Sequence, residues 1–272
     1  MPALHFLTFA DGSARYRGAA GRLAGQVRRA QIFGTITVFD LKRICSDFPD
    51  FYSRHIDFIS SNPRGLGYFV WKPFLIFQAL LTISPGDMLV YADGGCEFTG
   101  KNGDYLRDLF PPGGDLDLKA IVLQPEHSAR RWTNRFCADR MQGAAQFLDL
   151  PQISATMIFF RNTPNTKAFV SEWFNLCVSD NYGLLADRDR ENEDPAFVEH
   201  RHDQAIFNLL LRHRVEQGSL KCGLIPVEVA SVSDFPILGL RNPTPVSRLR
   251  GNRYSRRLML NAFDMWAFLR GL

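Results

Sequence analysis

The sequence predicts an α/β fold, in which helices flank a mostly parallel β-sheet in the Rossmann-like manner. Short apolar runs typical of buried strands alternate with segments that have a helical spacing of apolar residues, and this alternation favours a parallel sheet. The composition is that of a globular domain, because 46% of the 272 residues are hydrophobic and 22% are charged. It excludes disordered, collagen-like and coiled-coil proteins.

Six strands and six helices are predicted along the chain. The first strand, LHFLTFA, ends at Asp11-Gly12, and the second, ITVF, is β-branched and aromatic. Pro73 suits a first helical turn and precedes apolar residues at near-helical spacing. A Pro-Gly-Asp turn then leads into the all-apolar run MLVYA. The predicted strands are 4–10, 36–39, 88–92, 120–123, 155–160 and 222–229, and the predicted helices are 22–32, 73–83, 105–110, 136–148, 167–177 and 205–212.

Basic residues are concentrated near the C-terminus. Arginine accounts for 26 of the 32 basic residues, and the net charge is +4. Residues 240–272 contain seven arginines and one acid, so they carry +6 and the rest of the chain carries −2. We therefore divide the chain into a main domain, residues 1–239, and a basic, amphipathic extension, residues 240–272. The extension is expected either to contact an anionic membrane surface or to pack on the domain as a last helix.

The sequence favours a cytoplasmic protein. Residues 1–10 lack the basic segment of a signal peptide, and no stretch reaches the ~18 uncharged apolar residues of a membrane span. The five cysteines are scattered without a CxxC pair, which favours a reducing compartment. The arginine excess suits a phosphate-bearing partner or reflects codon usage. Nucleic acid is not an expected partner, because no nucleic-acid-binding module is recognisable.

Polar residues follow the predicted strands at the points where the strands end. They are Asp11, Asp40, Asp93 and the pair Arg161-Asn162. Ligands of parallel sheets bind beyond the carboxyl ends of the strands, so these side chains are expected to face one ligand site. Each acid taken alone also suits a turn or a helix cap.

The segment YADGGCE carries the sharpest local signal. Asp93 follows a buried strand, and Gly94 and Gly95 would let the backbone approach a bulky ligand. A carboxylate in this place can hold a hard divalent cation that also bridges phosphate oxygens. The alternative is an ordinary Asp-Gly turn.

The segment GLGYFVWKP is dense in glycine and aromatic residues and holds one of only six lysines. The face of Trp71 could stack on a sugar or a base, and Lys72 could meet a phosphate as a point charge. The alternative is a loop packed over the core with Lys72 exposed.

The segment HRHDQAIFN is predicted to begin a helix. Asp203 occupies the position of an N-cap, and Gln204 and Asn208 share one helical face because they lie four residues apart. His200 and His202 offer a weak metal-binding pair without an obvious third ligand. A surface or capping role is the alternative for both histidines.

Taken in order, these segments resemble the GT-A class of nucleotide-sugar glycosyltransferases. Asp-Gly-Gly follows an apolar strand, SATMIFFRN runs into a helix that bears Glu172-Trp173, and HRHDQ leads the next helix. The pattern is similar to retaining galactosyl- and xylosyltransferases, in which a Trp-Lys pair often opens the helix before the metal-binding strand, as Trp71-Lys72 does here. It also resembles bacterial proteins of capsule and surface-polysaccharide synthesis. The resemblance extends from residue 4 to residue 230.

The resemblance implies an enzyme with a GT-A-like fold. It would transfer a sugar from a nucleoside diphosphate sugar, expected to be UDP-linked, to a hydroxyl of a glycan or glycolipid, with retention, in bacterial surface-polysaccharide synthesis. Asp203 and Gln204 would be the catalytic residues, and the charged residues 187–202 would form a lid over the donor. The implied donor-binding residues are Asp11, Arg15, Arg22, Trp71, Lys72, Asp93 and Gly94.

The resemblance also implies a Mn²⁺ or Mg²⁺ cofactor bound by Asp93, Glu97 and His202. The sequence departs from the family at Gly95, which stands where relatives have their second metal-binding Asp. Glu97 would supply the missing carboxylate, or the enzyme would need no metal. The same departure leaves open a catalytically degenerate protein that binds a nucleotide sugar or a polysaccharide.

Overall fold

Six strands form the central sheet. The computed structural model describes residues 2–249, apart from residues 102, 112, 189, 191 and 233. The central strands are β1 (Leu4–Phe9), β2 (Thr35–Phe39), β3 (Met88–Ala92), β5 (Leu118–Val122), β6 (Ile153–Arg161) and β7 (Cys222–Pro226), and a small second sheet contains β4 (Glu97–Phe98) and β8 (Ile237–Leu238). The strand order of the central sheet is β2-β1-β3-β6-β5-β7.

The prediction of a mostly parallel α/β sheet is confirmed, with one reversed strand. β1 is parallel to β2 and β3, and β5 is parallel to β7. β6 runs antiparallel to both β3 and β5. The amino end of β6 therefore lies beside the carboxyl ends of β1 and β3.

This reversal makes one sequence prediction wrong. Arg161 and Asn162 lie at the opposite edge of the sheet, because the carboxyl end of β6 points away from those of β1 and β3. The guanidinium of Arg161 donates to the carbonyl of Gly114, and Asn162 Nδ2 donates to the carbonyl of Ile83 at 2.8 Å. Both residues fasten turns and do not face a ligand site.

Helices cover both faces of the sheet. They are α1 (Ala14–Ala30), α2 (Leu41–Asp47), α3 (Pro49–Ser61), α4 (Gly65–Tyr68), α5 (Trp71–Thr82), α6 (Gly103–Asp108), α7 (Ala129–Trp132), α8 (Arg135–Arg140), the 3-10 helix Ala144–Phe147, α9 (Pro164–Tyr182), α10 (Asp203–Glu216) and α11 (Val227–Ala230). Local capping fixes several starts: Ser13 caps α1, Asp40 caps α2 and Thr163 caps α9. Asp40 is therefore a cap, which was the alternative to a ligand contact.

The sheet separates two apolar cores. Leu89 and Tyr91 of β3 point into one core, and Val90 and Ala92 point into the other. Side chains that alternate between two buried faces explain why the strands are apolar throughout rather than at every second residue. Trp173 of α9 is fully buried in the first core.

Several predicted elements differ from the structure. The predicted helix 136–148 is two short pieces, because Gly143 has a φ of 70° between α8 and the 3-10 helix. The predicted strand 222–229 ends at Pro226, where α11 begins. The sequence analysis missed α2 and α3, although Asp40 and Pro49 are start signals of the usual kind.

The first ten residues of the predicted extension lie on the main domain. Leu240 and Leu249 pack against the second core, and Asn242 N donates to the carbonyl of Gly95 at 2.8 Å. Residues 250–272, on which the predicted membrane contact depends, lie outside the described residues. Within the described part of the chain, every helix is too short or too polar to span a bilayer.

Candidate active site

A cavity of about 650 Å³ opens at the carboxyl ends of β1 and β3. Its size suits a small-molecule ligand, since such sites measure ~300–1,000 Å³. Its position is the one where α/β sheets bind ligands. The walls are formed by residues 9–13 and 16, by residues 63–66, 69, 71 and 72, by residues 93–96 and Thr156, and by residues 201–204, 241 and 243.

A buried lysine bridges two carboxylates on the floor of the cavity. Lys72 Nζ lies 2.9 Å from Asp203 Oδ2 and 3.4 Å from Asp93 Oδ1. It also donates to the carbonyl of Ala155 at 3.3 Å. The side chains of Lys72 and Asp203 are each 3% exposed, whereas that of Asp93 is 32% exposed. Asp93 is therefore the carboxylate of this cluster that a ligand can touch.

The cluster keeps its charges in spite of burial. Burial favours the neutral amine of Lys72, but the attraction of Asp203 and then of Asp93 outweighs burial and raises the pKa of Lys72. Burial also raises the pKa of Asp203 to about 6, against the opposing pull of Lys72. The hydroxyl of Tyr91 donates to Asp93 Oδ1 at 2.6 Å. The floor thus carries one cation between two acids, one of which protonates in mildly acid solution.

A strained turn places Trp71 and Lys72. Residues 65–69, including Leu66, Tyr68 and Phe69, have φ values between 52° and 78°, so α4 is a left-handed turn that costs roughly 1–2 kcal/mol for each residue other than glycine. Gly67 fits there because a Cβ would lie 2.8 Å from a side-chain atom of Ile59. Strain of this kind persists where the surroundings enforce it and is concentrated at functional sites.

Trp71 closes one side of the cavity. Its indole stacks on the ring of Phe9 at 3.8 Å, and its Nε1 donates to the carbonyl of Gly65 at 3.0 Å. The side chain is 4% exposed, so only its edge is open to a ligand. The alternative of a loop with Lys72 exposed is wrong, because both residues are buried.

The first predicted donor-binding carboxylate also lines the cavity. Asp11 Oδ2 accepts a hydrogen bond from Leu41 N at 2.8 Å, and Asp11 Oδ1 accepts one from Gly12 N at 2.6 Å. Gly94 lies opposite, where a Cβ would come within 3.3 Å of the carbonyl of Phe9. Gly94 and Gly95 line the cavity next to Asp93, and the carbonyl of Gly95 accepts a hydrogen bond from Asn242 N.

The two arginines of α1 that were predicted to bind the donor lie elsewhere. Arg15 is exposed on α1 and is not part of the cavity lining. The guanidinium of Arg22 donates to the carbonyls of Asn242, Thr244, Gly94 and Cys96. Arg22 therefore joins the residues 94–96 to the segment that follows β8, and its role is structural.

The start of α10 supplies polar groups on the far side of the floor. Gln204 lines the cavity, and its Oε1 accepts a hydrogen bond from Ala155 N at 3.1 Å. This bond orients the amide, so its NH₂ group is the part that remains for a ligand. Asn208 accepts from Ile153 N at 3.0 Å, which ties α10 to β6.

The predicted metal ligands are not brought together. Glu97 is fully buried, and its two oxygens accept hydrogen bonds from Gln26, Asn242, Ser247 and Arg248. Burial favours the protonated form, but these bonds outweigh it and lower the pKa of Glu97. Glu97 does not line the cavity, so its assignment as a metal ligand is wrong for a structural reason.

His202 makes its contacts with the surrounding fold and not with the other predicted metal ligands. Its Nδ1 donates to the carbonyl of Leu185 at 2.9 Å, and its ring stacks on Tyr68 at 4.2 Å. Within the described residues, there is no group of three His, Cys, Asp or Glu side chains able to hold a metal ion. Lys72 already stands 3.4 Å from Asp93, so a divalent cation at this carboxylate would face a buried positive charge. The residues present do not fit the predicted Mn²⁺ or Mg²⁺.

Two cavity residues were missed by the sequence analysis. Arg201 donates to Glu199 at 2.8 Å and lies over the ring of Trp132, 4.3 Å from its centroid. Arg241 reaches the cavity from the segment after β8. Burial lowers the pKa of Arg241, and the carboxylates of Asp93 and Glu199 oppose that shift. Arg201 lies within the segment HRHDQAIFN but was not singled out there, and Arg241 lies outside every motif.

Comparisons with known proteins give similarities of structure alone. No family model and no curated protein matches the chain. Similar solved structures include mouse xyloside xylosyltransferase 1 (11% identity over 82% of this chain and 85% of that chain, TM-score 0.45). A second is a glycosyltransferase involved in glycosylation of the PBCV-1 major capsid (8% identity, 95% and 99%, TM-score 0.43). A third is the bifunctional glycosyltransferase WbbM (14% identity, 84% and 39%, TM-score 0.44). All three of these proteins are described as glycosyltransferases.

Proposed function

We propose that the protein is a glycosyltransferase that moves a sugar from a nucleoside diphosphate sugar to a hydroxyl of a glycan or lipid-linked acceptor. The observation that carries the proposal is the cluster of Lys72, Asp93 and Asp203 on the floor of the cavity at the carboxyl ends of β1 and β3. A UDP-linked donor and a role in bacterial surface-polysaccharide synthesis belong to the same proposal, on the strength of the sequence resemblance.

The difficulty of such a reaction is charge separation. The anomeric carbon becomes cationic as the bond to the diphosphate breaks, and the diphosphate gains negative charge. A site with preorganised charges in a partly closed cavity lowers this barrier. In the proposed reaction, Asp93 orients a positively charged side chain towards the diphosphate. Lys72 holds Asp93 and Asp203 in place from the floor of the cavity.

Asp203 and Gln204 are proposed to face the sugar. Asp203 is ion-paired with Lys72 and almost fully buried, so it suits electrostatic support of a cationic sugar better than attack on it. The oriented NH₂ group of Gln204 can donate to a sugar hydroxyl. Retention would then proceed by front-face attack, in which the departing phosphate accepts the proton of the acceptor hydroxyl.

Asp93→Asn is expected to lower the rate of transfer by about a hundredfold, because the neutral amide no longer orients the cation that stabilises the leaving diphosphate, an interaction worth roughly 3 kcal/mol. The measurement is release of the free nucleotide, which is a nucleoside diphosphate from UDP-, GDP- and dTDP-sugars and CMP from CMP-sugars. Asp40→Asn is the matched control, since Asp40 also follows a strand but caps α2.

The outcomes of this experiment distinguish the proposed glycosyltransferase from the catalytically degenerate alternative. Near-normal turnover by a folded Asp93→Asn protein would show that the reaction does not use this site. Binding of a nucleotide sugar by the unmodified protein, with neither transfer nor slow hydrolysis, would identify the catalytically degenerate alternative. A failure to bind any of the four donors in a thermal-shift assay would reject both.

A further inference from the structure

The backbone of Arg241 lies beside Gly95, where a second metal-binding Asp would place its side chain. A Cβ added at Gly95 would lie 3.2 Å from the Cα of Arg241 and 3.4 Å from its carbonyl carbon. Asn242 N donates to the carbonyl of Gly95 at 2.8 Å, so this contact is part of a hydrogen-bonded pairing of the two segments. A side chain at residue 95 would therefore press on the backbone of Arg241, which would have to shift by a few tenths of an ångström.

Buried polar contacts fix the segment that carries Arg241. Asn242 Nδ2 donates to Glu97 Oε1 at 2.7 Å and to the carbonyl of Val246 at 2.8 Å. Arg22 Nη1 donates to the carbonyl of Asn242 at 3.1 Å. Arg22 and Glu97, which the sequence suggested as ligand-binding residues, therefore hold Arg241 against the cavity.

The side chain of Arg241 lies among the groups of the active site. It lines the cavity and interacts electrostatically with Asp93 and Glu199. Arg201 also lines the cavity, but its guanidinium is ion-paired with Glu199 and packs on Trp132. Of these two arginines, Arg241 is therefore the one with a direct relation to Asp93.

The geometry points to a role for Arg241: we propose that it binds the diphosphate of the donor and takes the place of a divalent cation there. A guanidinium presents a planar fork of donors that matches phosphate oxygens. In the proposed role, Asp93, which interacts electrostatically with Arg241, would orient this fork much as a carboxylate orients a metal ion. This inference rests on the proposed function. It explains why Asp93 and Asp203 are paired with Lys72, and why the backbone of Arg241 lies against Gly95, where the resembled family has its second metal-binding Asp.

The test compares nucleoside diphosphate and nucleoside binding in the presence of EDTA. The tightest of UDP, GDP, CDP and dTDP is titrated by calorimetry into the unmodified protein and into Arg241→Met, followed by the matching nucleoside. Arg241→Met is expected to weaken the diphosphate by about tenfold to a hundredfold, the value of a charged hydrogen bond, and to leave the nucleoside within about twofold. The diphosphate affinity of Arg241→Lys is expected to lie between those of the unmodified protein and Arg241→Met.

Arg28→Met is the matched control, because Arg28 is an exposed arginine in the last turn of α1. Adding Mn²⁺ to the unmodified protein is expected to change its diphosphate affinity by less than about twofold. Loss of binding in EDTA that Mn²⁺ restores would overturn the inference, as would equal affinities of the unmodified and Arg241→Met proteins. In both cases the proposed function would stand. If the unmodified protein binds none of the four diphosphates with or without Mn²⁺, both proposals fail.

Discussion

Lys72→Met is expected to destabilise the protein by about 3–5 kcal/mol at pH 7.5, because removal of one partner from a buried ion pair strands the other charge. Asp203 would lose the cation 2.9 Å from its Oδ2, and Asp93 would remain nearby without a positive neighbour on the floor. The same variant should show no detectable transfer, since the ammonium that holds the two carboxylates in place is lost. Urea unfolding and donor turnover measure the two effects.

The destabilisation of Lys72→Met should shrink as the pH falls, because Asp203 without the opposing pull of Lys72 takes up a proton at a higher pH than in the unmodified protein. The double variant Lys72→Met/Asp203→Asn should recover most of the lost free energy of unfolding at pH 7.5, which a double-mutant cycle isolates. Lys42→Met is the control, since Lys42 is exposed on α2 and its replacement should stay within ~0.5 kcal/mol. Equal destabilisation of the single and double variants would contradict the buried ion pair.

The sequence could predict the strands and the position of the site because both depend on short-range patterns. All-apolar runs such as residues 88–92 are strands here because the sheet is buried on both faces. Asp93 follows such a run, and its place at the ligand-binding edge follows from the direction of β3. The antiparallel direction of β6 has no local signal, which is why Arg161 and Asn162 were placed at the wrong edge.

The pairing of side chains in the site could not be predicted in the same way. Lys72 meets Asp203 because α5 packs against β1, β3 and α9 while α10 packs against β6 and α9, and no spacing in the chain encodes that contact. Glu97 was predicted to be a metal ligand because it lies two residues beyond Gly95 and could supply the carboxylate missing there. Its side chain instead satisfies Asn242 and Ser247, which belong to a segment without any recognisable motif.

The protein is expected to lose about 4 kcal/mol of stability between pH 7 and pH 5 through two buried histidines, at about 2 kcal/mol each. Burial lowers the pKa of His200 and of His202 to about 3, from 6.5 in the unfolded chain. The unfolded chain therefore binds protons that the folded protein does not, and stability present above pH 6.5 is lost as the pH falls towards 3. Asp203 acts in the opposite direction, because its raised pKa stabilises the folded state as the pH falls through 6.

The contacts of the histidines explain why they stay neutral in the folded state. His200 Nε2 donates to the carbonyl of Leu184 at 2.9 Å, so its Nδ1 is the unprotonated nitrogen that accepts from Asn134 N at 3.2 Å. A second proton would break this bond at a fully buried site. His200→Gln should therefore remove about 2 kcal/mol of the loss between pH 7 and pH 5, in urea unfolding measured from pH 7.5 to 5. Ile206→Val, a buried change without a titrating group, should lower the whole curve by about 1 kcal/mol and leave its slope intact. An unmodified protein whose unfolding free energy is level across this range would show that the histidines are accessible to protons in the fold.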